Sequence, residues 1–220
     1  MLIGSILLAM GIVLWFFRRN LNFYAPGLPW LRWGATVWVL QNAVLAASVG
    51  LRNYYYIWHC GLAYKRIGVC FFLLLVFFGL ATVLLKIWQR RSAYSLVRLN
   101  ALAGYAVLLL LAAGNWEVWM ARYNLQPRFR NVDFLFLLAM PGRVLPELVG
   151  HRAVLNQVPQ LTGVPEYEGA TVALDAAEAQ AALDAAVAAW LHRYQKQADW
   201  QGRTYADWQT YQSLTSRPVR

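Results

Sequence analysis

The residues best suited to binding chemistry lie in one short stretch, residues 52–69, where basic and aromatic side chains are concentrated. Arg52 stands at its start, and Lys65 and Arg66 stand near its end. Guanidinium and ammonium groups donate strong hydrogen bonds to phosphate oxygens. Five aromatic residues accompany them: Tyr54, Tyr55, Tyr56, Trp58 and Tyr64. The stretch therefore favours binding of a lipid headgroup or a lipid-linked phosphate, with Tyr54, Tyr55 and Tyr64 beside the anion.

A simpler interpretation of the same stretch is membrane anchoring. Long apolar segments flank residues 52–69 on both sides. Tyrosine and tryptophan are enriched where a membrane meets water, and Arg and Lys there set the direction in which a helix inserts. Anchoring alone accounts for the composition and is the commoner explanation.

Three further polar residues lie within or beside apolar segments. Gln41 and Asn42 interrupt one segment near its middle, where they would contact a ligand or, as we favour, hydrogen-bond to a neighbouring helix. Glu117 is the only acid among the first 130 residues. An ionisable group inside a membrane is a functional candidate. Its place near a helix end, five residues before Arg122, favours a solvated or arginine-paired glutamate instead.

Motifs for known catalytic and cofactor chemistry are absent from the sequence. It contains no phosphate-binding loop, dinucleotide fingerprint, zinc-protease motif, paired-cysteine motif or nucleophile elbow. The three histidines, His59, His151 and His192, are far apart, and the two cysteines, Cys60 and Cys70, make no metal set. We therefore assign no catalytic residue, metal or cofactor, and leave open whether the protein is an enzyme.

The elements that must position these residues are apolar helices. The chain is 60% hydrophobic, against about 45–50% in soluble domains. Apolar segments of near-membrane length predict four spans, at residues 2–17, 33–51, 67–88 and 99–120. Lys86, near the end of the third, is placed so that it can extend its ammonium outward. The short first span suggests that the chain is a fragment whose missing N-terminal helices would have preceded it.

The composition changes after residue 122, which predicts a small helical region outside the membrane over residues 123–220. Asp175 with Glu178 has the spacing of a helix-capping pair, as does Thr204 with Asp207. The alanine-rich run between these pairs favours helix. The predicted fold is all-α: a four-helix integral membrane domain over 1–122, followed by this region.

Charge is unevenly divided between these two parts. Residues 1–130 carry thirteen Lys and Arg against one acid, and residues 131–220 carry seven against nine. The basic residues lie at helix ends, which suits anionic headgroups better than nucleic acid. They are nearly balanced between the two membrane faces. The predicted location is the bacterial inner membrane, and the Arg18-Arg19 pair favours an extracytoplasmic C-terminal region.

Several strings resemble a family of uncharacterised bacterial polytopic membrane proteins that is known only as a domain of unknown function. Asn53-Tyr54-Tyr55 followed by Gly61–Val69 is similar to its NYY…YGLTxKRIGV pattern, with Ala63 and Cys60 in place of the usual Thr and Tyr. The likeness continues at Arg98-Leu99-Asn100, Asn115-Trp116 and Arg122-Tyr123-Asn124, and covers roughly residues 30–215. It implies location and topology but no catalytic residues.

These observations predict a multi-pass envelope protein without enzymatic activity, which acts through lipids or a membrane protein partner. The alternative is a transporter or a membrane enzyme that acts on a lipid-linked substrate. A transporter or enzyme requires a polar cavity leading from the mid-membrane polar residues to one face. A scaffold requires a closed apolar bundle.

Overall fold

The computed structural model describes residues 28–89, 93–129, 131–155, 160–163, 172–196 and 204–216, together with Gly4, Leu8, Gly11 and Gly202. In chain order the elements are α1 Leu28–Cys60, α2 Tyr64–Gln89, α3 Ala93–Ala113, α4 Trp116–Asn124, β1 Asn131–Asp133, α5 Phe134–Leu138, a 3-10 turn Gly142–Val144, α6 Leu145–Gly150, α7 Arg152–Leu155, β2 Gln160–Gly163, β3 Val172–Leu174, α8 Ala176–Lys196 and α9 Tyr205–Thr215.

Three of these helices, α1, α2 and α3, are long and apolar enough to cross a membrane. They contain 33, 26 and 21 residues, and at 1.5 Å per residue even the shortest reaches about 30 Å, the thickness of a bilayer core. The fourth predicted span, residues 2–17, lies outside the described residues except at Gly4, Leu8 and Gly11.

The bounds of the long helices differ from the predicted spans. α1 continues to Cys60 rather than ending at Leu51, so residues 52–60 are helical and the connection to α2 is only Gly61–Ala63. The helix ends where Gly61 adopts a positive φ of 77°, a conformation that glycine tolerates. α3 covers 93–113 rather than 99–120, because Gly114 and Asn115 are poor helix formers and separate it from α4.

Contacts divide the chain into two compact units. The first contains the chain up to Trp58 and Ala63–Gly114, and the second contains His59–Leu62 and the chain from Asn115 onward. The core of the first unit is apolar and joins α1, α2 and α3; it consists of Val39, Leu80, Val83, Ile87 and Leu96. Polar bonds frame it: Trp88 Nε1 donates to Thr36 Oγ1 at 3.2 Å, and Asn100 Nδ2 donates to Thr82 Oγ1 at 2.9 Å.

The second unit contains a small sheet besides its helices, which the sequence analysis did not anticipate. Strand order is β1-β2-β3; β1 pairs with β2 in parallel, and β2 pairs with β3 antiparallel. Each strand has only three or four residues. Such strands are too short to show the alternation of apolar and polar residues by which strands are recognised in sequence. The region is mainly helical, as predicted, but not entirely.

Helix caps in the second unit follow the predicted pattern closely. Thr204 and Asp207 form a complete capping box at the start of α9. Asp175 N donates to Glu178 Oε2 at 3.3 Å, which is one half of the predicted pair. Aromatic rings also stack within α8 and between α8 and α9. The ring centroid of Tyr194 lies 5.3 Å from that of Trp190 and 4.8 Å from that of Tyr211.

Candidate functional site

The turn between α1 and α2 is held by a single asparagine side chain. Leu62 N donates to Asn124 Oδ1 at 2.6 Å, and Asn124 Nδ2 donates to Leu62 O at 2.8 Å. A Cβ placed on the neighbouring Gly61 would lie 2.5 Å from Asn124 Oδ1, closer than real Cβ contacts allow. Glycine is therefore required at position 61 for two reasons: the positive φ, and the close approach of the Asn124 side chain.

A second asparagine connects α1 and α2 by hydrogen bonds close to the turn. Asn53 is buried on α1, and its Nδ2 donates to Arg66 O at 3.1 Å and to Cys70 Sγ at 3.2 Å on α2. Because an unpaired buried amide is costly, this pairing fixes the register of the two antiparallel helices. Trp88 and Thr36, which bond near the other end, fit the same register.

The predicted anion-binding residues lie around the end of the α1–α2 hairpin that contains the Gly61–Ala63 turn. Tyr54, Tyr55 and Tyr64 are 56%, 55% and 46% exposed. Lys65 is exposed and Arg66 is half-buried in the first turn of α2. Arg52 is exposed on α1, where its guanidinium donates to Tyr56 Oη at 3.3 Å and covers that ring at 5.5 Å. The structure thus brings the candidates to one end of the α1–α2 hairpin, as basic groups beside aromatic rings.

The two mid-helix polar residues, Gln41 and Asn42, have different environments because adjacent helical residues point about 100° apart. Gln41 is exposed, whereas Asn42 is 6% exposed. Asn42 Nδ2 donates to Trp38 O of its own helix at 2.8 Å. We predicted that Asn42 hydrogen-bonds to a neighbouring helix. Among the described residues that bond is not found, and Asn42 bonds instead to a carbonyl of its own helix.

Glu117 belongs to α4 in the second unit and not to a membrane-length helix. Its Oε1 accepts from Arg143 Nη2 at 3.2 Å, so the expected arginine pairing is confirmed, with Arg143 rather than Arg122. Arg122 pairs with Glu147 at 2.6 Å, and this bond raises the pKa of Arg122 further above its ordinary value. The two pairs lie beside a cavity of about 190 Å³ whose lining includes Asn115, Arg122, Arg143 and Glu147.

Gly61, Asn53 and Asn124 were not among the predicted site residues, although all three belong to the strings on which the family resemblance rests. The strings themselves were the available signal, but only the fold pairs Gly61 and Leu62 with Asn124. The prediction that the Lys86 ammonium can extend outward is wrong: the residue is 3% exposed, and Nζ has no hydrogen-bond partner among the described residues.

Neither cysteine forms a disulfide, and both are exposed. Within the described residues, no group of three or more His, Cys, Asp or Glu side chains is placed to hold a metal ion.

Three membrane-length helices followed by a small unit of helices and one sheet define the chain as a helical protein of membrane type. The chain belongs to the family described as Domain of unknown function (DUF4153), whose model matches residues 1–143. The expected membership of an uncharacterised family is thereby confirmed. No curated protein matches the chain, and neither does any solved structure.

Proposed function

We propose that this chain is a multi-pass protein of the bacterial inner membrane that acts without catalysis, by binding anionic lipid headgroups at the end of the α1–α2 hairpin. One observation carries the proposal: Arg52, Tyr54, Tyr55, Tyr64 and Lys65 are all exposed at that end. Rings with a polar edge and long basic side chains suit headgroup depth.

The length of α1 supports this placement. Its 33 residues reach about 50 Å, roughly 20 Å more than a bilayer core. A spanning α1 therefore extends beyond the hydrocarbon, and the turns that carry Arg52 and the tyrosines are suited to the interface. Asn53 and Asn124 hold the end of the hairpin in place, which lowers the entropy lost when a headgroup binds.

A hydrogen bond also supports the topology. Two predicted crossings, α2 and α3, separate Leu62 from Asn124, so both residues would lie on the same side of the membrane. Their two hydrogen bonds agree with this arrangement. With the Arg18-Arg19 pair taken as cytoplasmic, that side is extracytoplasmic.

The transporter or membrane-enzyme alternative needs a polar cavity inside the bundle. The contact among α1, α2 and α3 is instead built on the apolar cluster Val39, Leu80, Val83, Ile87 and Leu96. This packing favours a scaffold that acts through lipids or a partner protein.

The test replaces the three basic residues together, as Arg52→Gln, Lys65→Gln and Arg66→Gln. At about 1 kcal/mol per basic residue near the surface, affinity for phosphatidylglycerol should fall at least tenfold. Native mass spectrometry of the detergent-solubilised protein measures the fall. The control is the pair Arg193→Gln and Lys196→Gln, exposed on α8, which should bind as the parent does. If the triple variant inserts normally and retains lipid like the parent, the residues serve only to orient the chain, and the proposal fails.

A further inference from the structure

Lys86 in the last turn of α2 is a buried cation without a described counterpart. The side chain is 3% exposed, and its Nζ has no hydrogen-bond partner within the described residues. An isolated buried ammonium is costly, and in proteins such a group is paired or loses its proton. A lysine near a helix end ordinarily extends to water, but burial prevents this for Lys86.

The depth of Lys86 follows from its neighbours along α2. Trp88, two residues further on, bonds to Thr36 of α1 and packs edge-on against Trp33 at 5.8 Å between centroids. Tryptophans gather where hydrocarbon meets headgroups. At 1.5 Å per residue, the backbone of Lys86 lies about 3 Å below Trp88. Lys86 therefore lies just inside the boundary between hydrocarbon and headgroups, at the opposite end of α2 from the basic residues of the hairpin.

The sequence contains no acid that could neutralise Lys86 from within the first unit. Residues 1–116 include no Asp or Glu. Basic residues are instead frequent in this part of the chain: Arg32 lies one turn before Thr36, and Arg90 and Arg91 follow α2 in the sequence. For Lys86 to keep its proton, the negative charge has to come from outside the first unit, and a bound anion is the simplest source.

We infer that Lys86 is the centre of a second anion site, within the membrane-length helices, and that it binds a phosphate group. Lipid headgroups and free phosphate share this chemistry, and the depth of the site favours the lipid. Thr82 lies one turn deeper on the same buried face and bonds to Asn100 of α3, so polar side chains continue inward from the ammonium. This site is independent of the hairpin site, because no residue is common to the two.

The experiment compares the parent, Lys86→Met, Lys86→Arg and the control Lys196→Met, which alters an exposed lysine of α8. Phosphatidylglycerol is titrated into each purified protein, and bound lipid is counted by native mass spectrometry. Lys86→Met should lose one tightly held lipid, with at least a tenfold fall in its affinity, whereas Lys86→Arg and Lys196→Met should keep it. Inorganic phosphate, added as a competitor, should displace the lipid only if free phosphate is the ligand.

A second measurement uses the unaltered protein, in case Lys86→Met does not fold. The chain has only three lysines, Lys65, Lys86 and Lys196, so an amine-acylating reagent can be followed at each by peptide mass spectrometry. Phosphatidylglycerol should protect Lys86 while Lys196 reacts at an unchanged rate. The inference is overturned if Lys86 reacts equally with and without lipid, or if a folded Lys86→Met protein binds lipid as the parent does. A loss of lipid in both Lys86→Met and Lys86→Arg would also overturn it, because shape rather than charge would then be responsible.

Discussion

Asn124 holds Leu62 through both polar atoms of its side chain, with hydrogen bonds of 2.6 and 2.8 Å between residues 62 positions apart in sequence. The pair satisfies both backbone groups of Leu62 in the turn between α1 and α2. Residues His59–Leu62 belong to the same compact unit as the chain from Asn115 onward. The geometry of the turn therefore depends on a residue outside the hairpin.

Replacing Asn124 with alanine should lower the free energy of unfolding by about 1–3 kcal/mol, since two hydrogen bonds are lost at about 1 kcal/mol each. Thermal denaturation in detergent, followed by circular dichroism, measures the loss. Gln126→Ala, at an exposed position two residues along, should leave stability within about 0.5 kcal/mol of the parent. Equal stability of the two variants would contradict a structural role for the Asn124 side chain.

Gly61→Ala should destabilise the protein by more than about 1 kcal/mol, for two reasons. Its φ of 77° is unfavourable for residues with a Cβ, and the new Cβ would meet Asn124 Oδ1 at 2.5 Å. The double variant with Asn124→Ala should cost less than the sum of the two single changes, because the clash is removed. Gly68→Ala on α2 is the control: its Cβ meets nothing within 4 Å, so it should be neutral or stabilising. Strict additivity at Gly61 and Asn124 would count against the clash.

Asp133 should make stability depend on pH. It is half-buried and caps α5 by accepting from Phe136 N at 3.0 Å. Burial raises its pKa above the ordinary value, and the hydrogen bond from Phe136 offsets part of the rise. The folded protein therefore binds this proton more tightly than the unfolded chain, whose Asp pKa is about 3.9. The stabilising contribution is complete below that pH and is lost as pH rises through the folded-state pKa.

The variant Asp133→Asn has no titrating group at this position but still caps the helix, so its stability relative to the parent should increase as pH rises from about 4. Asp133→Ala removes the cap at every pH and should cost about 1 kcal/mol. Thermal denaturation in detergent across a pH range of about 4 to 8 distinguishes the variants. If Asp133→Asn and Asp133→Ala are equally destabilised, the side chain does not act as a cap.

A reporter fused after Arg220 should behave as extracytoplasmic, because the Arg18-Arg19 pair is taken as the cytoplasmic marker. An alkaline phosphatase fusion should be active, and a fluorescent protein that folds only in the cytoplasm should be dark. The control is the same pair of reporters fused after Gln89, at the other end of α2, where the outcomes should be reversed. Fluorescence after Arg220 with an inactive phosphatase would reverse the proposed orientation.

The sequence alone determined the long helices, since a run of apolar residues long enough for a bilayer is a local property of composition. It also indicated the capping box at Thr204 and Asp207, because capping depends on residues three positions apart. The end of α1 was placed too early, at Leu51, because the basic and aromatic residues after it resembled a loop although they continue the helix to Cys60. The short strands were missed because three or four residues carry too little periodicity.

Only the tertiary structure decided which polar residues are paired. Asn124 and Leu62, Asn53 and Arg66, and Glu117 and Arg143 are each brought together by packing over 13 to 62 positions of sequence. No local sequence pattern indicates which of these residues pair. Burial is equally non-local: Gln41 and Asn42 are adjacent, yet one faces outward and the other inward. Lys86 could be placed on a helix from its sequence, but its burial without a described partner follows from how α2 packs against its neighbours.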